Sequence, residues 1–294
     1  MTFNPDADIS KGRASKRGRN TGIAVGGGGL GVLALFVLSQ FLGVDLTGIL
    51  GGGQQQPAPS DSSLEQCQTG QDANENIECR MQGASASLEA YWVSEAPEIG
   101  LSNYVGPQDL ILFDAATTTG CGSASSATGP FYCPPDQMIY MDVTFFDELR
   151  SRFGASGGPL AQMYVVAHEW GHHIQNLGGI LERSQDGQTG PASNAVRVEL
   201  QADCFAGAWT ADAATVPDSS GVPFLQEPTE AEIRDALDAA AAVGDDRIQE
   251  ATQGQVSPHT FTHGTSEQRQ RWFAVGYKSG AGACDTFGVA AGQL

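Results

Sequence analysis

His168-Glu169-Trp170-Gly171-His172 sets two imidazoles four residues apart with a carboxylate beside the first. On a helix, residues i and i+4 share a face, about 40° apart in azimuth and one turn apart in height. Two imidazoles so placed converge on one tetrahedral ion. Glu169, about 100° round the helix, reaches a water on that ion without ligating it. A catalytic zinc takes three protein ligands and keeps one position open, so two histidines are too few. Beyond His172, Glu199-Leu200-Gln201-Ala202-Asp203 repeats the i, i+4 spacing with two carboxylates. Glu199 is the expected third ligand. Asp203, one turn on, is placed to accept a proton from the far nitrogen of a ligating histidine and fix its tautomer. The alternative is an ordinary solvated acidic face. It fits poorly, because Leu200, Ala202, Cys204, Phe205, Ala206, Ala208 and Trp209 make the segment apolar over most of its circumference. Carboxylates in such a helix need partners.

A metzincin pattern would require glycine at 175 and histidine at 178, where the chain has Gln175 and Gly178. His173 points about 100° away from His172 and reads as a surface histidine or one supporting the ligands from behind.

These residues need helices to hold them. Pro159 is a favoured first helical residue and Gly178-Gly179 a stop, which predicts one helix around the histidines. A second runs from about Ser193 to Ala214. Thr229-x-x-Glu232 is a capping box opening a helix that Gly244 ends, and Thr265-x-x-Gln268 opens the last. Leu64 to Ala96 reads as helical with interruptions near Gly70 and Gly83. Leu110 to Phe113 and Met138 to Phe146 read as strands. Many helices with a small sheet make a mainly helical α+β domain.

The 294 residues carry a net charge of −19, which repels phosphate backbones and argues against nucleic acid as a partner. Lys11, Arg13, Lys16, Arg17 and Arg19 nevertheless crowd the first twenty residues. From Thr21 to Val44 the chain has no charge, and at 1.5 Å per residue it extends about 36 Å, enough to cross a membrane. By the positive-inside rule, residues 1–20 are expected to be a cytoplasmic tail and 21–44 a single transmembrane helix. The expected order continues with a Gly/Pro/polar linker over 45–63 and an extracytoplasmic domain over 64–294. A cleaved signal peptide is the rival reading of 21–44. All six cysteines follow that segment and none forms a C-x-x-C pair. Proximity along the chain suggests Cys67–Cys79 and Cys121–Cys133, leaving Cys204–Cys284.

H-E-W-G-H-H-I-Q followed by E-L-Q-A-D-C resembles the family of putative neutral zinc metallopeptidases, a gluzincin-like group. So do Gly129 to Asp142, His263 to Phe273, and Cys284 to Phe287. The resemblance implies a zincin-like fold, one catalytic zinc on His168, His172 and Glu199, and Glu169 as the catalytic residue. The chemistry would be hydrolysis of a peptide bond, with Glu169 moving the proton. The tetrahedral intermediate needs a second electrophile; His263, Tyr140 and Tyr164 are candidates. His263 is chosen because it lies in a loop just before a helix, free to approach a cleft. Tyr140 lies in a strand that an extended substrate could pair with, or is simply packed in the sheet. Two rivals stand beside peptide hydrolysis. One is a zinc- or peptide-binding module without turnover; the other is a membrane-tethered interaction protein in which H-E-x-x-H is a coincidence.

Overall fold

A computed structural model describes residues 2–18 and 61–294. In chain order its strands are β1 (Ser15–Arg17), β2 (Asp61–Ser63), β3 (Leu110–Phe113), β4 (Ala116–Thr119), β5 (Gly122–Ser125), β6 (Phe131–Cys133) and β7 (Met138–Met141). The helices are α1 (Gly70–Glu75), α2 (Ile77–Glu95), α3 (Phe145–Phe153), α4 (Pro159–Leu177), α5 (Asn194–Asp212), α6 (Glu230–Ala242), α7 (Asp245–Gln253) and α8 (Ser266–Ser279). One sheet has the order β2-β1-β3-β7-β6, and β4 and β5 form a separate hairpin. The two central pairings, β1 with β3 and β3 with β7, are parallel, and both edge strands run antiparallel to their neighbours. The architecture is α+β, mainly helical with a small sheet.

Local chemistry sets the boundaries. Pro159 occupies the first turn of α4, where its missing N–H costs nothing, and Gly178 follows the last residue. The Ser193 hydroxyl caps α5 through the Val196 N–H. Reciprocal capping boxes, Thr229 with Glu232 and Thr265 with Gln268, open α6 and α8. The expected strand over 138–146 stops at Met141, because the Asp142 carboxylate accepts from the Thr144 N–H and hydroxyl and turns the chain into α3. Over 64–96 the helix breaks at Asn76, whose side chain caps α2. Gly83 does not interrupt α2. A Cβ there would meet the Phe3 ring at 2.6 Å, so its glycine makes room for the N-terminal segment.

That contact belongs to a larger departure from expectation. Residues 2–18 are part of the fold. Phe3, Ala7 and Ile9 are buried in the main core. The Phe3 N–H donates to Asn74 Oδ1 (2.9 Å) and the Asp8 N–H to Asp218 Oδ2 (2.7 Å). Three of the basic residues are structural too: Arg13 donates to the Pro107 carbonyl, Lys16 pairs with Glu78, and the Arg17 guanidinium lies over the Tyr140 ring. β1 supplies an interior strand, with Arg17 opposite Asp61 in β2 and opposite Phe113 in β3. A single crossing between positions 17 and 61 would put these neighbours on opposite sides of a hydrocarbon layer about 30 Å thick. The expected single-pass location, with a cytoplasmic N-terminal tail and an extracytoplasmic domain, is therefore overturned. Among the described residues no helix is long and apolar enough to cross a membrane; the expected span, 21–44, lies outside them.

Three disulfides join Cys67 to Cys79, Cys121 to Cys133 and Cys204 to Cys284, the connectivity expected from chain proximity for the first two and by remainder for the third. The third ties α5 to the segment after α8.

Candidate metal centre

α4 and α5 pack against each other where Gly171 meets Ala202: a Cβ on Gly171 would lie 3.0 Å from the Ala202 Cα. That close approach presents the His168 and His172 face of α4 to the Glu199 face of α5. His168 Nε2 lies 3.2 Å from Glu199 Oε2, and His172 Nε2 lies 3.5 Å from Glu199 Oε1. One atom from each of the three residues falls within 4.8 Å of the other two, a grouping that could hold a metal ion. His168, Glu169 and Glu199 are buried, and His172 is slightly more open. Burial would raise the Glu199 pKa, but the facing His172 and His168 imidazoles hold its carboxyl well below the ordinary carboxylate range.

Behind His168 stands Asp203, fully buried. Its Oδ1 lies 2.9 Å from His168 Nδ1 and accepts from the Tyr164 hydroxyl at 2.5 Å. Arg269 of α8 completes the set: Nε donates to Oδ2 at 2.8 Å and a terminal nitrogen to Oδ1 at 2.9 Å. Burial opposes the charge on Asp203, but Arg269 and His168 outweigh it and keep the carboxyl ionised. An ionised acceptor keeps a proton on His168 Nδ1, so Nε2, which faces Glu199, is the nitrogen available to a metal. For His168 itself, burial is outweighed by Asp203 and Glu199, so in the metal-free protein its pKa is raised to about 10. α8 comes this close because glycines face backbone across its contact with α5. A Cβ on Gly276 would run into the Cys204 carbonyl, and one on Gly207 into the Phe273 carbonyl.

His263 lies in the loop between α7 and α8, and the next residue, Gly264, packs on α5. Gly264 has φ of +87°, and a Cβ there would meet Val196 at 3.1 Å and Leu200 at 3.4 Å, on the helix that carries Glu199. Asp245, at the start of α7, organises this loop. Its Oδ2 accepts the N–H groups of Thr262, His263 and Gly264, and its Oδ1 lies 3.1 Å from His263 Nδ1. Burial alone would lower the His263 pKa; the Asp245 charge and hydrogen bond, reinforced by Glu199, raise it instead.

The other candidates are placed elsewhere. Tyr164 is committed to Asp203, on the far side of His168 from Glu199. Tyr140 sits in β7, between β3 and β6 and not at an edge, stacked on Phe131 with its hydroxyl on Asp136. His173 is completely buried, not at the surface: Nδ1 meets the Tyr132 hydroxyl at 3.0 Å and Nε2 the Val105 carbonyl at 2.7 Å. It fastens β6 and the loop before β3 to α4. Three contributors were not singled out from sequence. Asp245 directly follows the glycine that ends α6, a signal that reads only as helix capping. Arg269 lies four residues into a helix, like any surface arginine. Gln175 stands out in the sequence only as the residue that breaks a metzincin pattern.

The comparisons with known proteins decide the family. The model of the family described as putative neutral zinc metallopeptidases matches residues 4–287. The chain belongs to that family. An uncharacterized protein of Mycobacterium tuberculosis is 49% identical over 260 residues, covering 86% of each chain. The uncharacterized protein YpfJ of Escherichia coli is 38% identical over 291 residues, covering 96% of this chain and 94% of its own. No solved structure matches. Zinc is thus the metal implied by the family, and two imidazoles with one carboxylate are a donor set that suits it.

Proposed function

We propose that the chain is a zinc-dependent peptidase of zincin-like fold, with zinc held by His168, His172 and Glu199. The observation that carries this reading is the convergence of those three side chains, with Glu169 on the same helix turn. Zinc bound there would polarise a peptide carbonyl and acidify a water molecule. Glu169 takes the proton from that water as general base and delivers it to the departing amine nitrogen. His263, whose pKa is raised by Asp245 and whose loop packs beside Glu199, donates a hydrogen bond in its protonated form to the oxyanion that develops on the carbonyl. Asp203 and Arg269 keep the His168 ring in one tautomer and one orientation throughout.

Glu169→Gln tests it. That variant should hold close to one zinc per chain while hydrolysis of a mixed peptide library drops about 10²–10⁴-fold. His172→Ala should lose both metal and turnover. A wild-type chain that binds zinc and cleaves none of the library would instead be a binding module; ordinary turnover in Glu169→Gln would remove Glu169 from the reaction.

A further inference from the structure

His168 has an ionised carboxylate behind it, but His172 has none. Its Nδ1 lies 2.8 Å from Gln175 Oε1, and Gln175 is completely buried. A primary amide has one accepting and one donating end, and it can be turned over. On its own, Gln175 could take the proton of His172 or give one to it, and only one of those leaves Nε2 bare.

The surroundings remove the choice. A backbone carbonyl only accepts. The carbonyl of Cys284 lies 2.8 Å from Gln201 Nε2, so the Gln201 amide nitrogen must face it. Gln201 Oε1 is thereby turned toward Gln175, whose Nε2 lies 3.1 Å away. The Val198 carbonyl, 2.7 Å from the same Gln175 nitrogen, imposes the same direction independently. Gln175 Oε1 is then the atom left for His172. An amide oxygen only accepts, so the imidazole must donate from Nδ1. Gln201 is also buried. Turning over either amide would set carbonyl against carbonyl with little water to intervene, leaving buried groups unsatisfied. The far end is fixed as well, since Cys284 is disulfide-bonded to Cys204 on α5, the helix that carries Gln201.

We propose that Gln175 and Gln201 are positioning residues, a one-way amide relay from the Cys284 carbonyl that fixes the His172 proton on Nδ1 and keeps Nε2 bare toward Glu199. The tautomer follows from the hydrogen bonds alone; its use in holding zinc rests on the function proposed above. Both histidines then hold a proton on Nδ1 by different means, His168 through a charged pair and His172 through neutral amides anchored on backbone.

Two measurements test this, one of them without metal. Long-range ¹H–¹⁵N spectra of the metal-free protein, at a pH where titration finds His172 neutral, should show its proton on Nδ1. In Gln175→Leu the proton should redistribute toward Nε2, and zinc affinity by chelator competition should fall about 10–100-fold. Gln175→Glu keeps an acceptor for His172 whether ionised or protonated with its hydroxyl on the Val198 carbonyl. It should retain the Nδ1 proton and recover most of the zinc affinity. Gln201→Leu leaves Gln175 held by Val198 alone and should show a smaller shift in the same direction. That variant carries the test should Gln175→Leu not fold. The relay is overturned if the His172 tautomer is unchanged in the leucine variants, or if Gln175→Leu and Gln175→Glu lose zinc equally. A wild-type chain that shows these tautomers yet binds no zinc would remove the peptidase reading and leave the relay standing.

Discussion

Asp203 illustrates how much one residue of the site depends on its neighbours. Four donors surround its two oxygens: His168, Tyr164 and two nitrogens of Arg269. Removing the carboxylate would leave Arg269 buried without its counter-charge, so Asp203→Ala should destabilise the fold by about 3–5 kcal/mol. It should also weaken zinc binding about 10–100-fold by freeing His168. Glu199→Ala removes a ligand instead and should cost more zinc affinity with less loss of stability. If Glu199→Ala left zinc in place while Asp203→Ala abolished it, their roles would have to be exchanged. His263 makes a pH prediction. Its raised pKa means that the protonated form persists above 6.5 and is lost as pH rises through the shifted value. Asp245→Asn should therefore move an alkaline limb in kcat/KM to lower pH. An unmoved limb in Asp245→Asn, or one that survives His263→Ala, would exclude His263 as the donor. The i, i+4 pairs were legible in the sequence because one helix sets their spacing. Arg269 was not, because its partners lie 66 and 105 positions away and only packing brings them together.

At the scale of elements, the site depends on how close three helices approach. Helix ends were legible from Pro159, Ser193 and the two capping boxes, since those signals act within four residues. Which helix lies against which was not, because the deciding residues are glycines in helix interiors, where propensity counts only against them. Two substitutions separate the cases. At Gly171 an added methyl meets Ala202 at 3.0–3.2 Å, so α5 has to yield by tenths of an ångström. Gly171→Ala should cost about 1–3 kcal/mol of packing, partly offset by about 1 kcal/mol of helix propensity. The yielding moves Glu199 away from the histidines, so zinc affinity should drop more than stability does. At Gly276 the methyl runs into the backbone carbonyl of Cys204, which no rotamer change relieves. Gly276→Ala should lower stability by about 3 kcal/mol or more, as read by denaturant midpoint. Equal and small effects at both positions would mean that the helices are not this close.

For the whole molecule, the least legible feature is where the chain begins. A basic stretch ahead of a long uncharged one has the pattern of a cytoplasmic tail and an anchor, and periodicity carries no sign that Phe3 and Ile9 face a core contributed by residues far along the chain. β1 is only three residues long, too short for an alternating pattern to announce it. Its neighbours on both sides come from distant sequence, positions 61–63 and 111–113. The placement has a direct thermodynamic consequence. Phe3 is 1% exposed and lies against Gly83 of α2, while Ile9 is fully buried. Truncating a buried phenylalanine to alanine costs about 3–5 kcal/mol, and isoleucine about 2–5 kcal/mol, through lost transfer energy and the cavity left behind. Phe3→Ala and Ile9→Ala should therefore each lower the stability of the full chain by amounts within those ranges. Ser10→Ala, a change at an exposed neighbour, should stay within about 0.5 kcal/mol. A free tail would give three indistinguishable unfolding curves. That outcome would detach residues 2–18 from the fold, dissolve the pairing of β1 with β2, and reopen the topology that this pairing overturns.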